Sequence, residues 1–138
     1  MLINDFIKKY RSLSLLLTFL SYSAYSEALN ERWYQERWCE QNNGQAEVVL
    51  DDGTRCDCIT SNFAVEVDFA RKWAESIGQS LHYSRMTGKS AGILLIITDA
   101  NDDRYIHRLI ESIHYHNLPI QVWVAWEKHG QIVVKKEI

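Results

Sequence analysis

Between Glu47 and Tyr83 the chain gathers acids, one lysine and a glutamine at spacings suited to metal-assisted chemistry. Glu66 and Asp68 are separated by one residue, so on a strand they point to one face while Val65 and Val67 point to the other. Ser61-Asn62 reads as a two-residue hairpin loop, which sets Thr60 opposite Phe63 and, counting back, Asp57 opposite Glu66. Asp51-Asp52-Gly53 reads as a three-residue loop with Gly53 left-handed, which sets Leu50 opposite Thr54 and Glu47 opposite Asp57. Three acids from three adjacent strands are thus expected on one face, with Asp68 one step further along. Neighbouring carboxylates repel unless their charge is cancelled, and a hard divalent cation, Mg²⁺ or Mn²⁺, is the usual remedy. The competing expectations are a solvated acidic sheet face and, for Asp68, the N-cap of the following helix.

That helix adds Lys72, Gln79 and Tyr83, which share a stripe expected to lie opposite its apolar one. Lys72 in the first turn can reach back towards Glu66 or a bound phosphate, or else stand in solvent. His114 and His116 are two apart near a helix end and share no face. Together with His82 they read as core or surface histidines.

The elements that must position these groups follow from periodicity. Residues 30–41 read as a helix, with Asn30 as N-cap and Gly44 beyond its end. Strands are expected over 46–50, 55–60 and 63–68, then a helix over 69–87 with Ala70, Trp73, Ala74, Ile77 and Leu81 as its buried stripe. Gly88 ends that helix. The run from Ala91 to Thr98 is almost unbrokenly apolar and suits a central strand covered on both faces. A helix over 101–116 and strands over 119–126 and 131–137 complete a mixed sheet flanked by helices.

The 138 residues leave room for one domain, and 46% apolar with 24% charged residues argues against disorder. Lys8, Lys9 and Arg11 precede an apolar run over 13–20 and a small, polar stretch over 21–26, the three parts of a secretory signal peptide. Residues 1–26 are therefore expected to be a signal peptide and 27–138 the domain, exported to the periplasm or secreted. The alternative is a cytoplasmic protein whose first helix packs on the domain. The apolar run is too short to span a bilayer, so no stable membrane anchor is expected after processing. Cleavage after Ser26 leaves 12 basic and 17 acidic residues, a net charge near −5. That argues against tight nonspecific nucleic-acid binding but not against local phosphate contacts through a metal. Cys39, Cys56 and Cys58 allow one disulfide, Cys39 with Cys56 or with Cys58, and one free thiol; a zinc site would want a fourth ligand.

Asp57, Glu66-x-Asp68 and Gln79-x-x-x-Tyr83, in this order of elements, resemble the RecB-like branch of the PD-(D/E)xK nuclease superfamily. The stretches Gly53-Thr54-Arg55-Cys56-Asp57 and Ala64-Val65-Glu66-Val67-Asp68 look like those of small exported bacterial members. The likeness covers about residues 30–98. It implies a restriction-endonuclease-like α-β-β-β-α-β core, here with a C-terminal helix and two strands added. It also implies Mg²⁺- or Mn²⁺-dependent hydrolysis of nucleic acid, DNA rather than RNA. The family's acids fall on Asp57 and Glu66, and its positioning pair on Gln79 and Tyr83. Its further acid falls on Glu47 of the first strand or on Glu40, or Glu36, of the first helix. The family's lysine position is occupied by Asp68, so the implied chemistry passes to Lys72. An inactive exported protein that keeps the fold for binding or structure is the alternative, and a disulfide-linked periplasmic interaction module is a weaker third. N-terminal sequencing of the expressed protein is expected to begin after the small-residue stretch ending at Ser26; an intact Met1 in the cytoplasm overturns export.

Overall fold

The run Ile93, Leu94, Leu95, Ile96 is fully buried, and the fold is built outward from that strand. The computed structural model describes residues 29–138, so the expected signal peptide lies outside the described residues. Among them the order is α1 (Glu31–Gln41), β1 (Gln45–Val49), β2 (Arg55–Ile59), β3 (Phe63–Phe69), α2 (Trp73–Thr87), β4 (Ser90–Ile96), α3 (Asp103–His116), β5 (Ile120–Lys128) and β6 (Gln131–Lys136). Short 3₁₀ turns, Ala70–Lys72 and Ala100–Asp102, lead into α2 and α3. Residues Glu31–Ile138 form one compact unit, and no helix among the described residues is long and apolar enough to cross a membrane.

The strands form one six-stranded mixed sheet in chain order. β1–β2–β3 is antiparallel, β3–β4–β5 is parallel, and β6 returns antiparallel to β5. Tight loops suffice for the antiparallel pairs, whereas each parallel pair needs a crossover, here α2 and α3. α3 covers one face through Ile106, Leu109 and Ile113, packed on Ile93, Leu95, Val122 and Val124, and α2 adds Trp73, Ile77 and Leu81. α1 belongs to the other face, where Trp38 meets Trp123 in a tilted contact at 5.2 Å and Trp123 meets Phe63 edge-on at 5.1 Å.

Both loop readings hold. Leu50 N–H donates to Thr54 O across the first turn, Gly53 has φ +83°, and Thr60 N–H donates to Phe63 O across the second. Gly88 ends α2 with φ +68°. Two expectations for α2 fail. Ala74 is exposed, and the most buried positions are Ser76, Ser80 and Tyr83 rather than the apolar stripe alone. The helix is wedged between the sheet and α3, so Trp73, Ile77 and Leu81 fill only one flank of a wider contact. Asp68 does not cap it: the helix opens through the 3₁₀ turn behind Phe69, without a side-chain cap.

Cys39 and Cys58 form a disulfide that ties α1 to β2, and Cys56 remains a buried free thiol. Gly44 is required beside it, since a Cβ there would stand 2.5 Å from Cys58 Sγ and 2.8 Å from Cys39 Sγ. On β4, a Cβ at Gly92 would meet the Trp123 ring at 2.9 Å and Val65 Cγ2 at 3.0 Å. Gly92→Ala is therefore expected to destabilise the fold by about 1–3 kcal/mol through overpacking, read as a lower denaturant midpoint at unchanged slope.

Candidate active site

The register that holds the acids is the expected one. Ala46 pairs with Cys58 and Val48 with Cys56, which brackets Glu47 opposite Asp57. Cys58 pairs with Val65 and Ile59 with Ala64, which points Asp57 at Glu66 one step on. At that step the ladder gives way to a side chain: Asp57 Oδ2 accepts the Val67 amide at 2.8 Å. The backbone donor on β3 stays satisfied while the Asp57 carboxyl is drawn in beside Glu66.

Glu66 and Asp68 are 4% and 3% exposed, so both carboxyls are cut off from the water that would ordinarily solvate them. Among the described residues Glu66 Oε2 is the buried side-chain oxygen without a hydrogen-bond partner. Burial pushes the Glu66 carboxyl up to about 9, aided by the Asp57 charge and by a hydrogen bond to the Asp57 carboxyl. Asp57 is also raised, by burial above all, although the Val67 amide and the bond from Glu66 hold it back. The Asp57 charge thus keeps Glu66 high, because two neighbouring acids in a dry site resist ionising together.

A second pair forms beside the first. Glu31, in the first turn of α1, hydrogen-bonds Asp68, and burial followed by that bond raises it to about 7. Lys72 reaches back along the 3₁₀ turn and sets Nζ 3.1 Å from Asp68 Oδ1, so it engages Asp68 rather than Glu66. The Phe69 amide donates to the same Oδ1 at 2.8 Å. Lys72 is raised by this contact with Asp68.

Glu47 has left-handed backbone at φ +57°, a conformation that costs a non-glycine residue about 1–3 kcal/mol and collects at functional sites. It re-aims the side chain. Oε1 accepts from Gln35 Nε2 at 2.6 Å and Oε2 pairs with Arg55 Nε at 2.7 Å. The same Gln35 Nε2 donates to Asp57 O at 2.9 Å, so one buried amide holds β1 and β2 together. The acids consequently meet in pairs rather than around one point. Among the described residues no group of three or more His, Cys, Asp or Glu side chains is spaced to hold a metal ion.

Of the helix residues, Tyr83 is buried against Cys56 and Ala64, and Gln79 is exposed and hydrogen-bonds it. Tyr83 therefore lies on the buried side of α2, contrary to the expected stripe. Burial, then the Glu66 and Asp57 charges, raise its phenol. Glu36 and Glu40 are exposed, and Glu36 pairs with Arg32. The helix acid brought to the cluster is Glu31, which the sequence reading passed over. Its signal was spacing: Glu31, Gln35 and Cys39 recur every four residues, on the side of α1 that carries the disulfide. His82 pairs with Asp52 at 2.7 Å, while His114 and His116 are exposed. Compared with known proteins, the chain matches no family model, no curated protein and no solved structure.

Raised acids make stability fall with pH, because the folded state keeps protons that the unfolded chain has released. The contribution of Glu66, Glu31 and Asp57 is complete below the ordinary carboxyl range and is lost as pH climbs through about 7 for Glu31 and about 9 for Glu66. Asp52 acts with the opposite sign and only at the acid end, since Thr54 hydrogen bonds hold it at about 2. Chelator-treated protein is thus expected to melt at a higher temperature at pH ~5 than at pH ~9. Glu66→Gln should flatten that slope, and an unchanged slope would assign it to other groups.

Proposed function

We propose that the protein is an exported, metal-dependent phosphodiesterase that hydrolyses nucleic acid, DNA rather than RNA. The observation that carries this reading is Glu66: a buried carboxyl with an unpartnered oxygen, raised by burial and by the Asp57 charge on the adjacent strand. The residues fit a hard cation. A divalent ion offers the charge that now has to be supplied by protons, and Mg²⁺ needs only one or two carboxylates with waters and substrate phosphate. Asp57 and Glu66 would hold it, with Asp68 and Glu31 the further acids whose charges reach Glu66, while Glu47 is held aside by Gln35 and Arg55. When bound, such an ion acts as a Lewis acid on the phosphate and lowers the pKa of water.

The chain's own groups do the rest. Deprotonation of Glu66 and Glu31 frees oxygens on one side of the cluster. Asp68 holds Lys72 at the rim, where its ammonium can neutralise charge developing on a phosphate. Tyr83 packs on Cys56 and Ala64 within reach of the Glu66 and Asp57 charges, and exposed Gln79 at its hydroxyl would touch a nucleic-acid backbone. The resemblance to PD-(D/E)xK nucleases supports the same assignment, with Lys72 in place of the lysine whose position Asp68 occupies. The Cys39–Cys58 disulfide suits an oxidising compartment and so supports export.

One observation favours a second reading, a noncatalytic protein that keeps the architecture for binding or structure: Lys72 is tied to Asp68 rather than free to meet substrate. Assays on DNA and RNA with Mg²⁺ or Mn²⁺, a chelator and a Glu66→Ala control separate the two. Cleavage is expected that the chelator and the variant both abolish, and Lys72→Met should lower turnover about 10²-fold or more while the protein stays folded. No cleavage of either substrate and no metal binding by calorimetry would sink the enzyme reading.

A further inference from the structure

Gln35 is 3% exposed and is a neutral side chain among acids. Its Nε2 bridges the Glu47 carboxylate on β1 and the Asp57 carbonyl on β2, at 2.6 and 2.9 Å. It thereby fixes the backbone of the strand whose Asp57 carboxyl accepts the Val67 amide and faces Glu66. One turn before Gln35 on the same side of α1 is Glu31, bonded to Asp68. One turn after it is Cys39, joined to Cys58, and Cys58 is the residue next to Asp57. The bond therefore pins the helix to the strand beside both members of the Gln35 contact. α1 keeps a separate anchor in Trp38 on Trp123, so losing the disulfide need not detach the helix. Cys56 is no rival thiol, since burial pushes it up to about 12 and leaves it inert.

We propose that Gln35, held in register by the Cys39–Cys58 disulfide, is the positioning residue of the acidic cluster, and that reduction of this one bond loosens the cluster while the fold persists. A dithiol reductant breaks the S–S bond, delivers two electrons and two protons to leave two thiols, and itself closes into a disulfide. The inference rests on the reading of the cluster as a metal-dependent site for its functional meaning, but its geometry can be tested without that reading.

The test uses wild type, Gln35→Met and Cys56→Ser, each with and without dithiothreitol, and reads Mn²⁺ affinity by calorimetry and amide hydrogen exchange. Methionine fills the same space without an N–H donor. Gln35→Met and reduction are each expected to weaken Mn²⁺ binding about ten-fold, and together to weaken it no further, as groups acting through one contact do. Cys56→Ser should respond to reductant as wild type does. Exchange should accelerate at Val67 and along residues 31–35 and 55–59, while β4 and β5 keep their protection. Additive losses, a uniform rise in exchange, or an unchanged Val67 amide after reduction overturns the proposal. If Mn²⁺ binds no form, the enzyme reading fails, and the exchange pattern alone decides the role of Gln35.

Discussion

A carboxyl on a central strand has to be neutralised by something, and Glu66 and Asp68 place two of them on β3, between β2 and β4. Much of the local architecture answers that demand. β2 interrupts its ladder so that Asp57 can face Glu66, α1 brings Glu31 to Asp68, and the 3₁₀ turn after β3 swings Lys72 back over Asp68. Protons and one ammonium group balance the charge at the cost of an oxygen left unpartnered on Glu66. Desolvation is the largest cause of the Glu66, Asp57 and Glu31 shifts, ahead of any single neighbour. The cluster owes its character to burial first and to like charge second.

What keeps it dry is the two-sided covering of the sheet. α2 seals the acidic side with Ser76, Ser80 and Tyr83, small or hydrogen-bonding residues that let the helix approach β3 closely. On the opposite face Gly92 makes room for the Trp123 ring, and Trp38 of α1 packs against that ring. The disulfide adds a covalent tie across 19 residues, which by chain entropy is worth about 3 kcal/mol. A helix otherwise held to the sheet by packing and by the Gln35 and Glu31 contacts is thereby indexed to one strand.

The same geometry bears on the proposed chemistry in two directions. Buried, mutually repelling acids are groups whose charge a cation can balance in place of protons, and the proposed metal-dependent chemistry draws on that. Asp68 where the resemblance expects lysine adds an acid and claims Lys72 as its partner. Function belongs to that site rather than to the sheet that carries it.

Local pattern alone determined the order of elements, the two hairpin loops and the register of β1, β2 and β3 on either side of the acids. Period-two alternation and loop length fix a register without reference to the rest of the chain. The apolar run 91–98 likewise identified the central strand, because nothing but two-sided burial suits it. Tertiary structure decided the rest. Which helix acid joins the cluster depends on how α1 is indexed by Trp38 and Cys39, so Glu31 rather than Glu36 or Glu40 arrives. The choice of Cys58 over Cys56 depends on which strand face meets that helix. The inward turn of Tyr83 and the exposure of Ala74 depend on a contact wider than one apolar stripe. Glu47's left-handed backbone reflects partners on α1 and β2, Gln35 and Arg55, that strand alternation cannot see. Sequence spacing encodes neighbours along one element; the pairing of charges across elements is set only when packing removes the water between them.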